Sequence, residues 1–278
     1  MSDRSAGTKK TAIVTGGASG IGKAMALGLV GAGYTVLVVD RNPATLATMP
    51  AAAAGLSGSV ITMEADLSQP DSFDRIVAEA LKPTGRIDVL LNVAGVGQAA
   101  VKADQRQNPI RAWEITPEQW ARFLAVNATA PIMMARAVVP HMLKAGKGRV
   151  ITVTTSLGTM VREGYLLYGS SKAAAESSLA VLAAYLKATG VTANVLVPGG
   201  VTNTPLVGEN AGDPAKMLQP EIMVKPLLWL VSDAADAVSG RRFIAADWDS
   251  SVPADQAAEK AGAPVAWLSI ARMPIEPK

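Results

Sequence analysis

Thr15-Gly16-Gly17-Ala18-Ser19-Gly20-Ile21-Gly22 is the stretch on which the reading of this 278-residue chain turns. Before it, Thr11–Thr15 is a short apolar run. After it, Ile21–Ala32 carries apolar residues at helical spacing. Glycines between a strand and a helix let the backbone take positive φ and approach a ligand closely. The helix that opens there offers unpaired N–H groups and its positive dipole end to an anion such as pyrophosphate. The spacing is G-x-x-x-G-x-G, not the G-x-G-x-x-G of other dinucleotide sites. Gly16, Ser19, Gly20, Ile21 and Gly22 are therefore candidate phosphate-side residues.

Working outward, Thr35–Asp40 is a second β-branched run, and it ends in an acid 18 residues after Gly22. A carboxylate there can accept from both hydroxyls of an adenosine ribose and repels a 2′-phosphate. Ser19 brings no cation into the glycine loop, so Asp40 predicts NAD rather than NADP. Arg41 is the residue that keeps NADP open. The strand pattern recurs at Val60–Met63, Ile87–Asn92, Val150–Thr154, Val191–Val197 and Arg242–Ala246. Helical windows lie between, at Ala44–Ala54, Ser72–Leu81, Pro117–Lys144, Leu166–Thr189 and Glu221–Ser232. Continuous apolar strands alternating with helices predict an α/β fold, a Rossmann-type doubly wound parallel sheet of about seven strands with helices on both faces. One domain, residues 1–247, accounts for the pattern, with an extension over 248–278.

Composition narrows the function classes. The net charge is only +3 and 49% of the residues are apolar, so a large core can form. Lys and Arg are scattered, without the basic and aromatic interleaving of a nucleic-acid surface. With no cysteine and a single histidine, His141, no metal site is predicted. The N-terminus lacks an apolar signal core, and apolar stretches are interrupted before a membrane-spanning length. A cytoplasmic protein with no membrane or nucleic-acid partner is the expectation.

Four further segments, Asn92-Val93-Ala94-Gly95, Val126-Asn127, Tyr168-Gly169-Ser170-Ser171-Lys172 and Pro198-Gly199-Gly200-Val201, follow the glycine turn in order. Together they resemble the short-chain dehydrogenase/reductase family over roughly residues 11–247. The resemblance implies an NAD(P)-dependent oxidoreductase acting on the CH–OH group of a small alcohol, or on the matching ketone. It implies that Tyr168 is the general acid/base and that Lys172, four residues on and on the same helical face, assists it and binds the nicotinamide ribose. A neighbouring ammonium and a cationic nicotinamide would favour the phenolate and lower the tyrosine's pKa. Thr155 stands where the family has a serine, three residues before Gly158 and 13 before Tyr168, with Ser156 as the alternative. Its hydroxyl would donate to the substrate oxygen. Asn127 would hold a water beside Lys172. Asp66 and Leu67 would meet the adenine, Asn92, Ala94 and Gly95 would border the cofactor, and Pro198, Gly199, Val201 and Thr202 would meet the carboxamide, with Thr204 competing with Thr202.

Three departures stand out. Residues 96–116 are longer than the family's usual connection and could border the active site or cover a neighbouring subunit. Residues 205–220 read as the substrate lid, with Leu157, Val161, Tyr165 and Leu206 as candidate apolar walls. The tail carries Trp248, Trp267, Leu268 and Ile270, which predicts packing, at the interface of a homodimer or homotetramer or back on its own subunit. Competing readings are an NADPH-dependent 3-oxoacyl reductase, which Asp40 opposes, and a non-catalytic dinucleotide sensor, which the set Asn127, Thr155, Tyr168 and Lys172 opposes.

Overall fold

The computed structural model describes residues 9–208 and 212–271. Three residues of the expected lid and the last seven of the tail lie outside that range. In chain order, β1 (Thr11–Thr15) leads into α1 (Gly20–Gly31), then β2 (Thr35–Asp40), the short helices α2 (Pro43–Leu46) and α3 (Met49–Ala52), and β3 (Ser59–Glu64). Next come α4 (Ser72–Leu81), β4 (Val89–Asn92), α5 (Pro117–Leu124), α6 (Ala130–Ala145) and β5 (Gly148–Val153). The chain continues through α7 (Leu157–Met160), α8 (Leu166–Tyr185), β6 (Val191–Val197), α9 (Val224–Leu230) and β7 (Arg241–Ile244). It closes with α10 (Ala254–Ala261) and β8 (Gly262–Pro264).

The sheet runs β3-β2-β1-β4-β5-β6-β7-β8. Every pairing is parallel except that of β8 on β7. The fold class is as expected, with one strand more. The eighth strand comes from the tail, and a three-residue Gly-Ala-Pro strand gives no hydrophobic pattern by which to find it. Residues of β1, β5 and β6 are buried throughout, because helices cover both faces. Ile13, Leu90 and Val150 pack on one face with Ile76 of α4, Met134 and Val138 of α6 and Leu179 of α8. Ala12, Val14, Leu91 and Ile151 pack on the other with Met25 and Leu29 of α1, Leu227 of α9 and Ala258 of α10. Period-two alternation along each strand thus feeds two cores.

Strand order reverses between β1 and β4, and a sheet of this kind opens a crevice at the carboxyl ends of the strands at that point. The long helix Pro117–Ala145 is apolar enough by composition to cross a membrane. It instead lays Ala130, Met134, Val138 and Met142 on the sheet. Its middle is a π-helical turn, Ala125–Thr129, centred on Asn127. The window 44–54 holds two short helices rather than one, because Pro50 at the start of α3 lacks the N–H that would continue α2.

Candidate active site

The crevice is a cavity of about 770 Å³. Gly16, Ser19, Gly20, Ile21, Gly22, Asp40, Arg41, Asp66, Leu67, Ala94, Gly95, Thr155, Tyr168, Lys172, Pro198, Val201 and Thr202 all line it. Asn92, Asn127 and Gly199 are not on its wall.

At one end the wall is backbone. Gly16 has φ +63°, and a Cβ there would stand 2.6 Å from Cα of Ala94. A Cβ on Gly22 would collide with the Gly16 carbonyl. Only glycine at both places lets the turn fold onto the start of α1. Ser19 caps α1 without a side-chain bond, so the first-turn N–H groups stay available. Asp40 is fixed at the end of β2, where Oδ2 accepts from the Ala18 N–H and Oδ1 from the Asn42 N–H, both at 3.2 Å. Asp66 accepts from the Ser68 N–H at 2.9 Å, which holds its carboxyl below the usual range. A backbone cradle that any side chain would fill, free helix N–H groups and a carboxylate at the second strand's end fit a dinucleotide.

At the other end the wall is side chain. Tyr168 and Lys172 project from the first two turns of α8, with Lys172 Nζ 5.9 Å from the Tyr168 ring centroid. Lys172 Nζ donates to the Val153 carbonyl at 2.9 Å. Burial holds the ammonium down to about 8. Burial also pushes the Tyr168 phenol up to about 12, while the Thr155 hydroxyl bonded to it pulls the other way. Desolvation therefore outweighs the Thr155 hydrogen bond in setting the Tyr168 phenol. Ser156 lines the cavity beside Thr155, and Thr154 does so with its hydroxyl bound to Glu176 at 2.6 Å.

Asn127 lies behind this end, fully buried. Its Oδ1 accepts from the Val96 N–H at 2.8 Å, and its Nδ2 donates to the Val96 carbonyl and to Ser171 Oγ, both at 3.0 Å. A Cβ on Gly95 would sit 3.3 Å from Asn127 Oδ1 and 3.5 Å from Lys172 Nζ, so Gly95 lets both groups converge. Asn92 ends β4 beneath the floor, where Nδ2 donates to the Pro131 carbonyl at 3.3 Å and Thr152 Oγ1 at 3.4 Å. Gly199 turns toward Ile244 and Ala246 instead. Thr202 is buried with its hydroxyl donated to the Gly200 carbonyl, whereas Thr204 stands over Gly20.

The long connection 96–116 borders the cavity mouth. Buried Gln98 donates to the Gly164 carbonyl and accepts from the Tyr168 N–H at 3.4 Å, and Gln105 donates to the Tyr165 hydroxyl at 3.4 Å. The insertion is thereby clamped to the start of α8. Of the expected apolar walls, Tyr165 and Leu206 line the cavity, while Leu157 and Val161 are exposed outside it. Arg106 of the long connection and Arg162, which the sequence did not mark, line this end, with the Arg162 guanidinium 5.2 Å from the Tyr165 ring. Among the described residues, the carboxylates on the wall are Asp40 and Asp66, both at the opposite end.

Comparison with known proteins agrees with this geometry. Residues 10–214 match the short chain dehydrogenase family. A short chain dehydrogenase of Pseudocercospora fijiensis is 34% identical over 192 residues, 69% of this chain. The chain spans 60% of that protein's length. A metagenomic short-chain oxidoreductase in complex with NADP superposes with a TM-score of 0.71 at 25% identity, over 84% of this chain and 95% of that one. A 3-ketoacyl-(acyl-carrier-protein) reductase from Brucella melitensis, complexed with NADH, superposes equally well at 0.71 with 26% identity, over 83% and 93% of the two chains. Fold, cavity and comparisons together define an oxidoreductase of dinucleotide-binding architecture. The chain belongs to the short chain dehydrogenase family.

Proposed function

We propose that the chain interconverts a secondary alcohol and its ketone with NAD(H) as the partner, using Tyr168 as general acid/base. The observation that carries this reading is one cavity with the glycine cradle and Asp40 at one end and Thr155, Tyr168 and Lys172 at the other. A nicotinamide nucleotide, when bound, supplies or accepts the hydride. The chain's own work is proton handling. Tyr168, which burial keeps protonated, is set to donate from its phenol oxygen to a ketone oxygen during reduction. Thr155 donates its hydroxyl at the same point and supports the oxygen as it gains charge. In oxidation Tyr168 must lose its proton first, and positive charge beside the phenolate lowers that cost. Lys172 supplies part of it. Asn127 acts at one remove, by fixing the Val96 and Ser171 segments around Lys172.

Asp40 supports NAD over NADP, since two backbone N–H groups aim its carboxylate at the cavity where a 2′-phosphate would stand. One observation favours a second reading, an NADPH-dependent 3-oxoacyl reductase. Arg41 lines the cavity beside Asp40 and could pair with that phosphate. A non-catalytic sensor is disfavoured by the proton-transfer groups gathered at one point. We also propose a homo-oligomer, in which exposed Trp267, Leu268 and Ile270 are contact residues. A fall in solution mass in Leu268→Asp checks that. The function is tested with a spectrophotometric panel of cyclic and acyclic secondary alcohols, their ketones and 3-oxoacyl thioesters, each with both cofactors. NADH-linked turnover of a ketone is expected. NADPH preference on 3-oxoacyl thioesters would replace this reading with the second.

A further inference from the structure

Tyr168, Lys172 and Glu176 are spaced by four residues on α8 and share one face. The first two look into the cavity. Glu176 lies beneath its floor with no exposure. Four donors converge on its carboxylate. Oε1 accepts from Arg242 Nε at 2.8 Å and from the Ala266 N–H at 3.0 Å. Oε2 accepts from Thr154 Oγ1 at 2.6 Å and from Arg242 Nη2 at 3.4 Å. Arg242, itself 4% exposed, then donates Nη2 to the Thr155 carbonyl at 2.7 Å.

The place of that last bond matters. The β5–β6 ladder ends with Val153 opposite Leu196. Beyond it the chain turns into α7 at Leu157, and residues 154–156 have no ladder partner to set their direction. Side chains hold them instead. Lys172 takes the Val153 carbonyl, Glu176 takes the Thr154 hydroxyl, and Arg242 takes the Thr155 carbonyl. A buried ion pair is poor evidence for stability, because apolar residues of similar volume fill the same space without desolvating two charges. What apolar residues lack is the planar guanidinium fork, which binds a carboxylate and a carbonyl in fixed relative directions.

We propose that Glu176 and Arg242 are positioning residues for Thr155, and that the C-terminal segment completes the pair through the Ala266 N–H. The pair fixes the strand end so that the Thr155 hydroxyl meets the Tyr168 phenol. This rests on the reading of Thr155 as the substrate-facing hydroxyl. The tail is thereby tied to the catalytic strand end, although it comes last in the chain and touches no lining residue's side chain in this network.

The test compares Glu176→Met/Arg242→Met, which removes both charges at once, with wild type. Thermal unfolding, NADH affinity by fluorescence, hydrogen exchange at residues 153–157, and kcat and KM on the ketone selected by the panel are measured. The double variant is expected to fold and to bind NADH within about twofold of wild type, with faster exchange at 153–157. Its kcat should fall on the order of 10²-fold, the scale of a displacement near 1 Å at a reacting group. In a Thr155→Val background the same pair of changes should cost no more than about twofold, because the group being positioned is gone. Should the methionine pair fail to fold, Arg242→Lys keeps the charge but loses the fork and carries the same kcat expectation. Retained kcat, or equal losses in both backgrounds, overturns the proposal. Near-normal kcat in Thr155→Val alone overturns the Thr155 assignment, and the proposal with it; that result is read from a separate variant.

Discussion

The two ends of the cavity are built by different means. At the glycine-turn end the polar contacts are local in sequence: Asp40 and Asp66 are oriented by N–H groups no more than 22 residues away, although Ala94 and Thr204 pack against the turn from afar. Asp66 is exposed there and Asp40 half-buried. At the tyrosine end the groups come from the segment after β5, from α8 and from the 96–116 connection, and they are held by contacts between segments distant in sequence. Burial dominates their chemistry, raising Tyr168 to about 12 and lowering Lys172 to about 8. Burying a phenol and an ammonium costs the tyrosine end stability that the glycine-turn end does not lose. A second buried cation sharpens the point. Arg242 and Lys172 are 4% and 3% exposed, yet Arg242 is paired with a carboxylate, whereas Lys172 donates to a carbonyl and stands 5.9 Å from the Tyr168 ring centroid.

The comparison breaks first at Tyr168. Tyr168→Phe removes the transferable proton and little volume, so turnover should fall by roughly 10²–10⁴-fold with NADH affinity largely kept. Near-normal turnover on a proven substrate would make Tyr168 a structural residue.

Lys172 gives the next largest effect, in stability. Its move from 10.5 to about 8 corresponds to about 3 kcal/mol at 1.36 kcal/mol per unit. The folded value lies below the unfolded one, so the unfolded chain binds more protons between about pH 8 and 10.5. Stability should rise with pH across that window, and the full penalty is in place below it. Above pH 10 the raised Tyr168 value works in the opposite sense, because the folded state then resists losing that proton. Lys172→Met should therefore be more stable than wild type at pH 7 and lose the slope between pH 8 and 10, while its activity collapses. Denaturant titrations at pH 7 and pH 9.5 check this. A less stable Lys172→Met at pH 7 would mean that Lys172 contributes packing or bonding that outweighs its desolvation.

At the adenosine end a smaller effect is expected. Asp40→Ala should narrow the NADH-over-NADPH affinity gap by roughly tenfold, about 1.4 kcal/mol. Fluorescence titration of both cofactors decides it, and equal affinities in wild type would remove the assignment. The smallest effect belongs to the mouth. Arg106→Gln and Arg162→Gln should raise KM by about threefold for ketones bearing a carboxylate but not for their methyl esters, an effect that 0.5 M salt should erase by screening. Identical KM changes for acid and ester would deny these guanidiniums any electrostatic part.

Much of this was legible in the order of residues, and the reason is locality. The cradle is a strand, a glycine turn and a helix within Thr11–Gly31, and its chemistry depends on backbone freedom that glycine alone provides. Tyr168 and Lys172 face one way because helical spacing puts them there. An acid at the next turn, Glu176, was equally visible as a charge on that same face; its value was hidden because its partners, Arg242 and Ala266, lie 66 and 90 residues away. The sequence by itself thus determined the fold class, the cradle and the spacing of the two α8 groups.

Tertiary structure alone decided the rest. It turned Asn92 under the floor, where its Nδ2 donates to the Pro131 carbonyl, and set Asn127 on the Val96 backbone, which satisfies both ends of that buried amide. It brought Gln98 and Gln105 of the long connection onto α8, and folded the tail back so that β8 pairs with β7. It also set how strongly burial raises the Tyr168 phenol, because the cost of desolvating a phenolate depends on what surrounds it in space, and neighbours along the chain do not reveal that.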